Sequence, residues 1–174
     1  MKTTKTIVKD TSNKNSHYYI LYALLFLLGI SCSGEDEEEV AISLDGPVLS
    51  VSDFSGNWTA TGAIFENFDG SQRLDLVHEG GSASLSVEPN GRFSINLDVP
   101  GQGAEVISGE LGFNEGEWGD RLVVIFDGEP KEDYEVYNIS LENGMLYLSG
   151  VTTFDFTGGG TEEPAVIDLI LTRS

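Results

Sequence analysis

The chain has 174 residues, and its 29 acidic side chains outnumber nine basic ones for a formal charge of −20. So negative a surface repels nucleic acid and anionic membrane faces, which excludes the usual electrostatic binders of either. One cysteine and two histidines leave too few ligands for a His-rich zinc site.

The first segment carries Lys2, Lys5, Lys9 and Lys14, relieved only by Asp10, and then thirteen uncharged residues, 18–30, dominated by Leu21, Leu24, Leu25, Phe26, Leu27 and Leu28. Thirteen apolar residues fall short of the roughly 20 that cross a bilayer as a helix, but match the apolar core of a signal peptide. The run closes on Gly29-Ile30-Ser31-Cys32, with Cys32 the only thiol in the chain. This arrangement resembles a bacterial lipoprotein signal, which implies removal of residues 1–31 and lipidation of Cys32. Two features qualify the match: Gly29 stands where the lipobox usually has leucine, and Gly29 and Ser31 also form the small-x-small pattern of an ordinary secretory signal. Both readings cut before Cys32 and differ only in the lipid. Each buried acyl methylene contributes about 0.8 kcal/mol, so two chains or more hold a protein on a membrane stably.

Residues 32–51 form an expected flexible tether, because the acidic run Glu35, Asp36, Glu37, Glu38 and Glu39 repels itself and cannot pack. A Ser-Gly-acidic stretch next to the cysteine also resembles the surface-export signal of lipoproteins from the Bacteroidota, and so implies the outer face of the outer membrane; a periplasm-facing anchor is the alternative. Loss of the signal removes four lysines and one aspartate, leaving five basic against 28 acidic residues and a formal charge of −23.

Residues 52–174 form one expected domain of ordinary single-core size. Its glycines and short apolar alternations predict an all-β fold. Segments 58–65, 73–77, 83–87, 92–99, 105–113, 121–126, 134–141, 145–156 and 165–172 are the candidate strands. The clearest has Phe93, Ile95, Leu97 and Val99 alternating with Arg92, Ser94, Asn96 and Asp98, after the turn Pro89-Asn90-Gly91. Asn143-Gly144 marks a second hairpin. Sequential strands on short connections predict an antiparallel up-and-down β-barrel of eight or nine strands, with a β-sandwich as the alternative.

Phe54-Ser55-Gly56-Asn57-Trp58, leading straight into the first strand, resembles the Gly-x-Trp opening of lipocalins. The resemblance implies that Gly56 and Trp58 close one end of an eight-stranded barrel and that Arg173, after the last strand, lies across the tryptophan ring through a cation–π contact. The family's second motif and its C-terminal helix have no counterpart here, so the likeness is to short bacterial lipocalin-like domains. Trp58 as an ordinary core aromatic is the competing reading.

Candidate chemistry is sparse. No Gly-x-Ser-x-Gly elbow appears, and His78, the one imidazole of the processed chain, sits in a turn. Carboxylate groups such as Glu115, Glu117 and Asp120, or Glu132, Asp133 and Glu135, arise freely in so acidic a chain and do not point to a glycosidase pair. Asn67, Asp69 and Ser71 lack the twelve-residue frame of a calcium loop. No catalysis, metal or cofactor is therefore expected. Trp118, in a polar glycine-rich loop, is either an aromatic at the barrel mouth or a strand-end core residue.

Two functions remain. In the first, a membrane-anchored barrel binds a small apolar or amphipathic ligand in a lumen lined by Phe93, Ile95, Leu97, Leu122, Val124, Phe126, Tyr147 and Leu169. In the second, a surface interaction or glycan-binding accessory protein has a barrel filled by its own side chains. Lumen volume separates them, since drug-sized ligands need roughly 300 Å³ or more.

Overall fold

The computed structural model describes residues 40–114 and 121–174. Ten strands follow in chain order: β1 (Ile42–Ser43), β2 (Gly56–Asn67), β3 (Arg73–Asp75), β4 (Ser82–Val87), β5 (Arg92–Val99), β6 (Gly103–Asn114), β7 (Arg121–Phe126), β8 (Glu135–Glu142), β9 (Met145–Phe154) and β10 (Glu163–Arg173). A single-turn helix, α1 (Val51–Phe54), precedes β2.

Eight of these strands close an antiparallel up-and-down barrel in the order β2-β4-β5-β6-β7-β8-β9-β10, with β10 returning to pair β2. Each step is a hairpin or short connection, the pattern that lets a sheet abolish its own edges. Two of the hairpins follow from turn chemistry. Asn143 and Gly144 have φ of 52° and 78°, the pair of positive values a two-residue type I′ turn requires, and this turn joins β8 to β9. Between β4 and β5, Gly91 takes φ 86° and its N–H donates to Glu88 O at 3.0 Å.

The second expected strand, 73–77, does not become a stave. Its three paired residues attach to the C-terminal half of β2, at Ile64 to Glu66, while β4 takes the N-terminal half, at Gly56 to Thr59. A turn through Leu76 and Gly81 separates the two, so β3 and β4 share one edge of the long β2.

The segment expected to be tether joins the fold well before residue 52. Ile42 and Ser43 pair with Asn114 and Phe113 of β6, beyond the point where β5 stops. Val51 N–H donates to Leu44 O at 2.8 Å and the Val51 side chain is fully buried. Apolar residues at 42, 49 and 51 explain this, because Val51 is in the core, Leu49 packs against it and Ile42 lies over Gly112, past the end of the acidic run. Residues 1–39, including the expected signal, Cys32 and the run Glu35 to Glu39, lie outside the described residues.

Alternation decides what faces inward. Ala83, Leu85 and Val87 of β4, Phe93 and Val99 of β5, Leu111 and Phe113 of β6, and Ala165, Ile167 and Leu171 of β10 are all buried in one core. Gly109 makes room for Phe93, whose ring would meet a Cβ there at 2.8 Å; Gly150 does the same for Tyr137 at 2.6 Å. Both glycines sit opposite the aromatic residue across a strand pair.

Candidate functional site

The two ends of the barrel differ. At one end α1 lies against the interior: Phe54 is buried, meets Phe113 edge-on with centroids 6.3 Å apart, and its carbonyl accepts a hydrogen bond from Trp58 Nε1 at 2.8 Å. Trp58 itself has no exposed surface. The Arg173 guanidinium lies 4.7 Å from the centre of the indole, and its two terminal nitrogens donate to Ser55 O at 3.1 Å and Asp53 O at 2.9 Å. Asp53 in turn accepts from the Ser50 N–H at 2.7 Å, a bond that lowers its carboxyl below the ordinary range. Gly56, with φ 125°, takes the chain from α1 into β2, a conformation open chiefly to glycine. This end is closed by a helix, an indole and an arginine that ties them to the last strand.

The interior opens toward the other end in three tiers. The deepest is a chamber of about 70 Å³ with almost wholly apolar walls, among them Leu85, Phe93, Val124, Leu148 and Leu171. Above it lies a chamber of about 190 Å³ that shares Ala83, Ile95, Phe126, Tyr137, Ile167 and Leu169 with the first, and adds Leu97, Gln102, Glu105, Thr152 and Glu162. Outermost is a rim cleft carrying Glu105, Asp127, Glu129, Glu135 and Glu162. An eight-stranded barrel is just wide enough to be filled by side chains or to hold one small ligand. A cavity of about 150 Å³ accommodates a benzene-sized molecule, so these chambers suit something small.

The acids of the rim are not equivalent. Asp127 is engaged by Arg92 in a two-pronged pair, at 2.9 and 2.6 Å, and by Ser108 Oγ at 2.7 Å; these bonds hold its carboxyl down at about 2. Asp155 spends its oxygens on the backbone N–H groups of Thr157, Gly158 and Gly160, which fixes the β9–β10 loop, and Gln102 Nε2 ties that loop to the β5–β6 turn at 2.9 Å. Glu162 accepts from Thr153 Oγ1 at 2.5 Å. Glu135 is different. It stands two residues before Tyr137 on the inward face of β8, and the Tyr137 hydroxyl donates to its Oε2. Burial raises its carboxyl above the ordinary range, with the charges of Glu129 and Glu162 adding to the effect and hydrogen bonds from Tyr137 and Thr152 opposing it. Burial, followed by the Glu135 charge, likewise pushes the Tyr137 hydroxyl far up.

Of the side chains expected to line a lumen, Phe93, Ile95, Val124, Phe126 and Leu169 surround the inner chamber, and Leu97 lines the outer one. Leu122 faces inward but is packed into the core without touching either chamber. Tyr147 does not face the lumen. Leu146 and Leu148 of β9 point inward, so the pleat turns Tyr147 outward beside its cross-strand neighbour Ile170. Trp118 lies outside the described residues; Asn114 and Arg121, which flank its segment, stand at the helix-capped end, where Phe113 pairs with Leu122. His78 is exposed in the β3–β4 turn. Asn67, Asp69 and Ser71 satisfy one another and the loop backbone, and no cluster of metal-ligating side chains occurs among the described residues. Sequence reasoning missed Tyr137, Leu148 and Ile167 as wall residues, and set Glu135 aside as one of a chance group of acids. The signal for Tyr137 and Glu135 was their shared parity with Ile139 and Leu141 in β8.

Fold and site together define a small one-ended antiparallel barrel with an apolar interior. No protein-family model matches the chain, and no curated protein matches it.

Proposed function

We propose that this chain is a lipid-anchored binding protein whose barrel takes a small apolar or amphipathic molecule through its open end. The observation that carries the reading is an apolar inner chamber that shares six wall residues with a mixed apolar and polar outer chamber above a plugged base. Ile95, Leu97 and Leu169 are only half-buried although they face inward, because they border space rather than side chains. Burial of an apolar ligand there gains about 25 cal/mol per Å² removed from water. The Gly-x-Trp entry, the indole plug and the overlying arginine support kinship with lipocalin-like carriers. The Cys32 context supports an outer-membrane anchor, and the acidic tether supports surface display.

Titration with a neutral solvatochromic probe tests the binding. We expect saturable fluorescence enhancement on the secreted Cys32→Ser chain and its loss in Ile95→Phe, which fills both chambers. Enhancement that survives Ile95→Phe unchanged contradicts the proposal. Incorporation of labelled palmitate that vanishes in Cys32→Ser tests the anchor, and absence of label in the parent chain contradicts it.

One observation favours the second reading, a filled barrel that acts through its surface. The inner chamber is only about 70 Å³ and the outer about 190 Å³, each below the usual range for a drug-sized ligand. A probe that fails to bind at all supports that reading.

A further inference from the structure

We propose that the lumen selects ligands bearing a cationic nitrogen, with an alkyl or aryl group in the apolar chambers and an ammonium seated on Glu135 at the mouth. The inference rests on the binding reading above and adds the chemical class of the ligand.

Three observations converge. First, the walls are graded: the deepest chamber presents apolar side chains, and polar atoms enter only at the level of Thr152, Glu105 and Glu162. A molecule matching that gradient is apolar at one end and polar at the other. Second, Glu135 faces inward at the top of this gradient, above Tyr137, whose ring lines both chambers. Of the rim acids, Asp127 and Asp155 are committed to Arg92 and to the loop backbone. Glu135 is bonded by Tyr137 within the mouth itself. Third, no lysine, arginine or histidine occurs among the described residues lining the two chambers and the rim. The groups that act on Glu135 are its own burial, the hydroxyls of Tyr137 and Thr152, and the like charges of Glu129 and Glu162. Lys131, on the β7–β8 loop, is exposed and lines neither the chambers nor the rim.

A partly desolvated carboxylate with only hydroxyls and other carboxylates around it lacks the opposite charge that stabilises a buried ion. A ligand ammonium supplies that charge and gains a charge-assisted hydrogen bond in a site of lowered dielectric. A fatty acid meets the reverse: its carboxylate would sit among Glu105, Glu135 and Glu162. The field of the whole acidic protein adds steering in the same sense.

The test compares octylammonium, octanol and octanoate, equal in chain length and different in head charge, by isothermal titration against the secreted Cys32→Ser chain at physiological salt. Octylammonium is expected to bind about tenfold more tightly than octanol, the equivalent of one charge-assisted bond, with octanoate weaker than both. Glu135→Gln is expected to remove the ammonium preference while leaving octanol affinity unchanged, whereas Glu142→Gln, an acid beside the hairpin at the closed end, changes neither. Equal affinity for all three probes, or a preference that persists in Glu135→Gln, overturns the cation assignment and leaves the apolar-lumen reading standing. Failure of all three to bind overturns both.

Discussion

The Arg173 guanidinium covers the indole of Trp58 at 4.7 Å while reaching past it to the carbonyls of Asp53 and Ser55. One side chain therefore joins the last strand, the first strand and the helix that plugs the barrel. The contact spans nearly the whole barrel sequence, so the plug is secured only when β10 has closed on β2.

Arg173→Ala is expected to cost about 0.5–1.5 kcal/mol in urea unfolding, from the lost cation–π contact and the two solvent-accessible bonds to Asp53 and Ser55. Arg173→Lys keeps the charge but not the fork of two donors, and should recover less than half of that. Trp58→Phe leaves the Phe54 carbonyl without its donor and should cost about 1–3 kcal/mol; Trp58→Ala should cost about 3–5 kcal/mol through the cavity it opens.

Gly150→Ala puts a methyl group 2.6 Å from the Tyr137 ring and 2.9 Å from the Val136 carbonyl, so the ring must shift. Overpacking of this kind costs about 1–3 kcal/mol. Because Tyr137 lines both chambers, the same variant should weaken probe binding. Unfolding and fluorescence titration on one preparation check both effects.

Asp127 links stability to low pH. Its folded carboxyl is depressed to about 2 by Arg92 and Ser108, so its contribution is present above the unfolded value near 3.8 and is lost as pH falls through the folded value. The stability gap between the parent chain and Asp127→Asn should therefore be constant above pH 5, shrink steadily toward pH 2 and vanish only below it. A gap that widens with acid would contradict the ion pair.

Glu135 has the opposite sign. Its folded carboxyl is raised, so the stability it lends is present below the unfolded value and lost as pH rises through the folded one. Glu135→Gln should then be more stable than the parent at neutral pH, with the gain fading in acid. Chemical denaturation at pH 7 and pH 4 measures it.

Much of this architecture was legible because turn chemistry and pleat agree. Phe93 to Val99 alternate cleanly behind Pro89-Asn90-Gly91, and Asn143-Gly144 admits few structures other than a tight hairpin. Where apolar residues run together, parity is lost. Met145-Leu146-Tyr147-Leu148 offers two equally apolar faces, and only the pairing of Leu148 with Ile139 and Leu169 settles which turns inward. Val123 and Ile125 blur β7 in the same way. The 73–77 segment looked like a stave because three paired residues and eight carry the same local signal, and the difference lies in where β2 changes partner from β4 to β3. The rim was legible only as parity: Glu135 shares a face of β8 with Ile139 and Leu141, but only the closed barrel shows that this face places it above Tyr137.

The central claim is that the lumen carries a molecule, and native mass spectrometry of the processed protein, released gently from its own membrane, tests it most directly. The account predicts excess mass on the folded chain that organic extraction removes, belonging to a small compound with an apolar body and a basic nitrogen. A bare mass that stays unchanged after incubation with alkylamines and a lipid mixture would contradict it and establish the barrel as a filled scaffold.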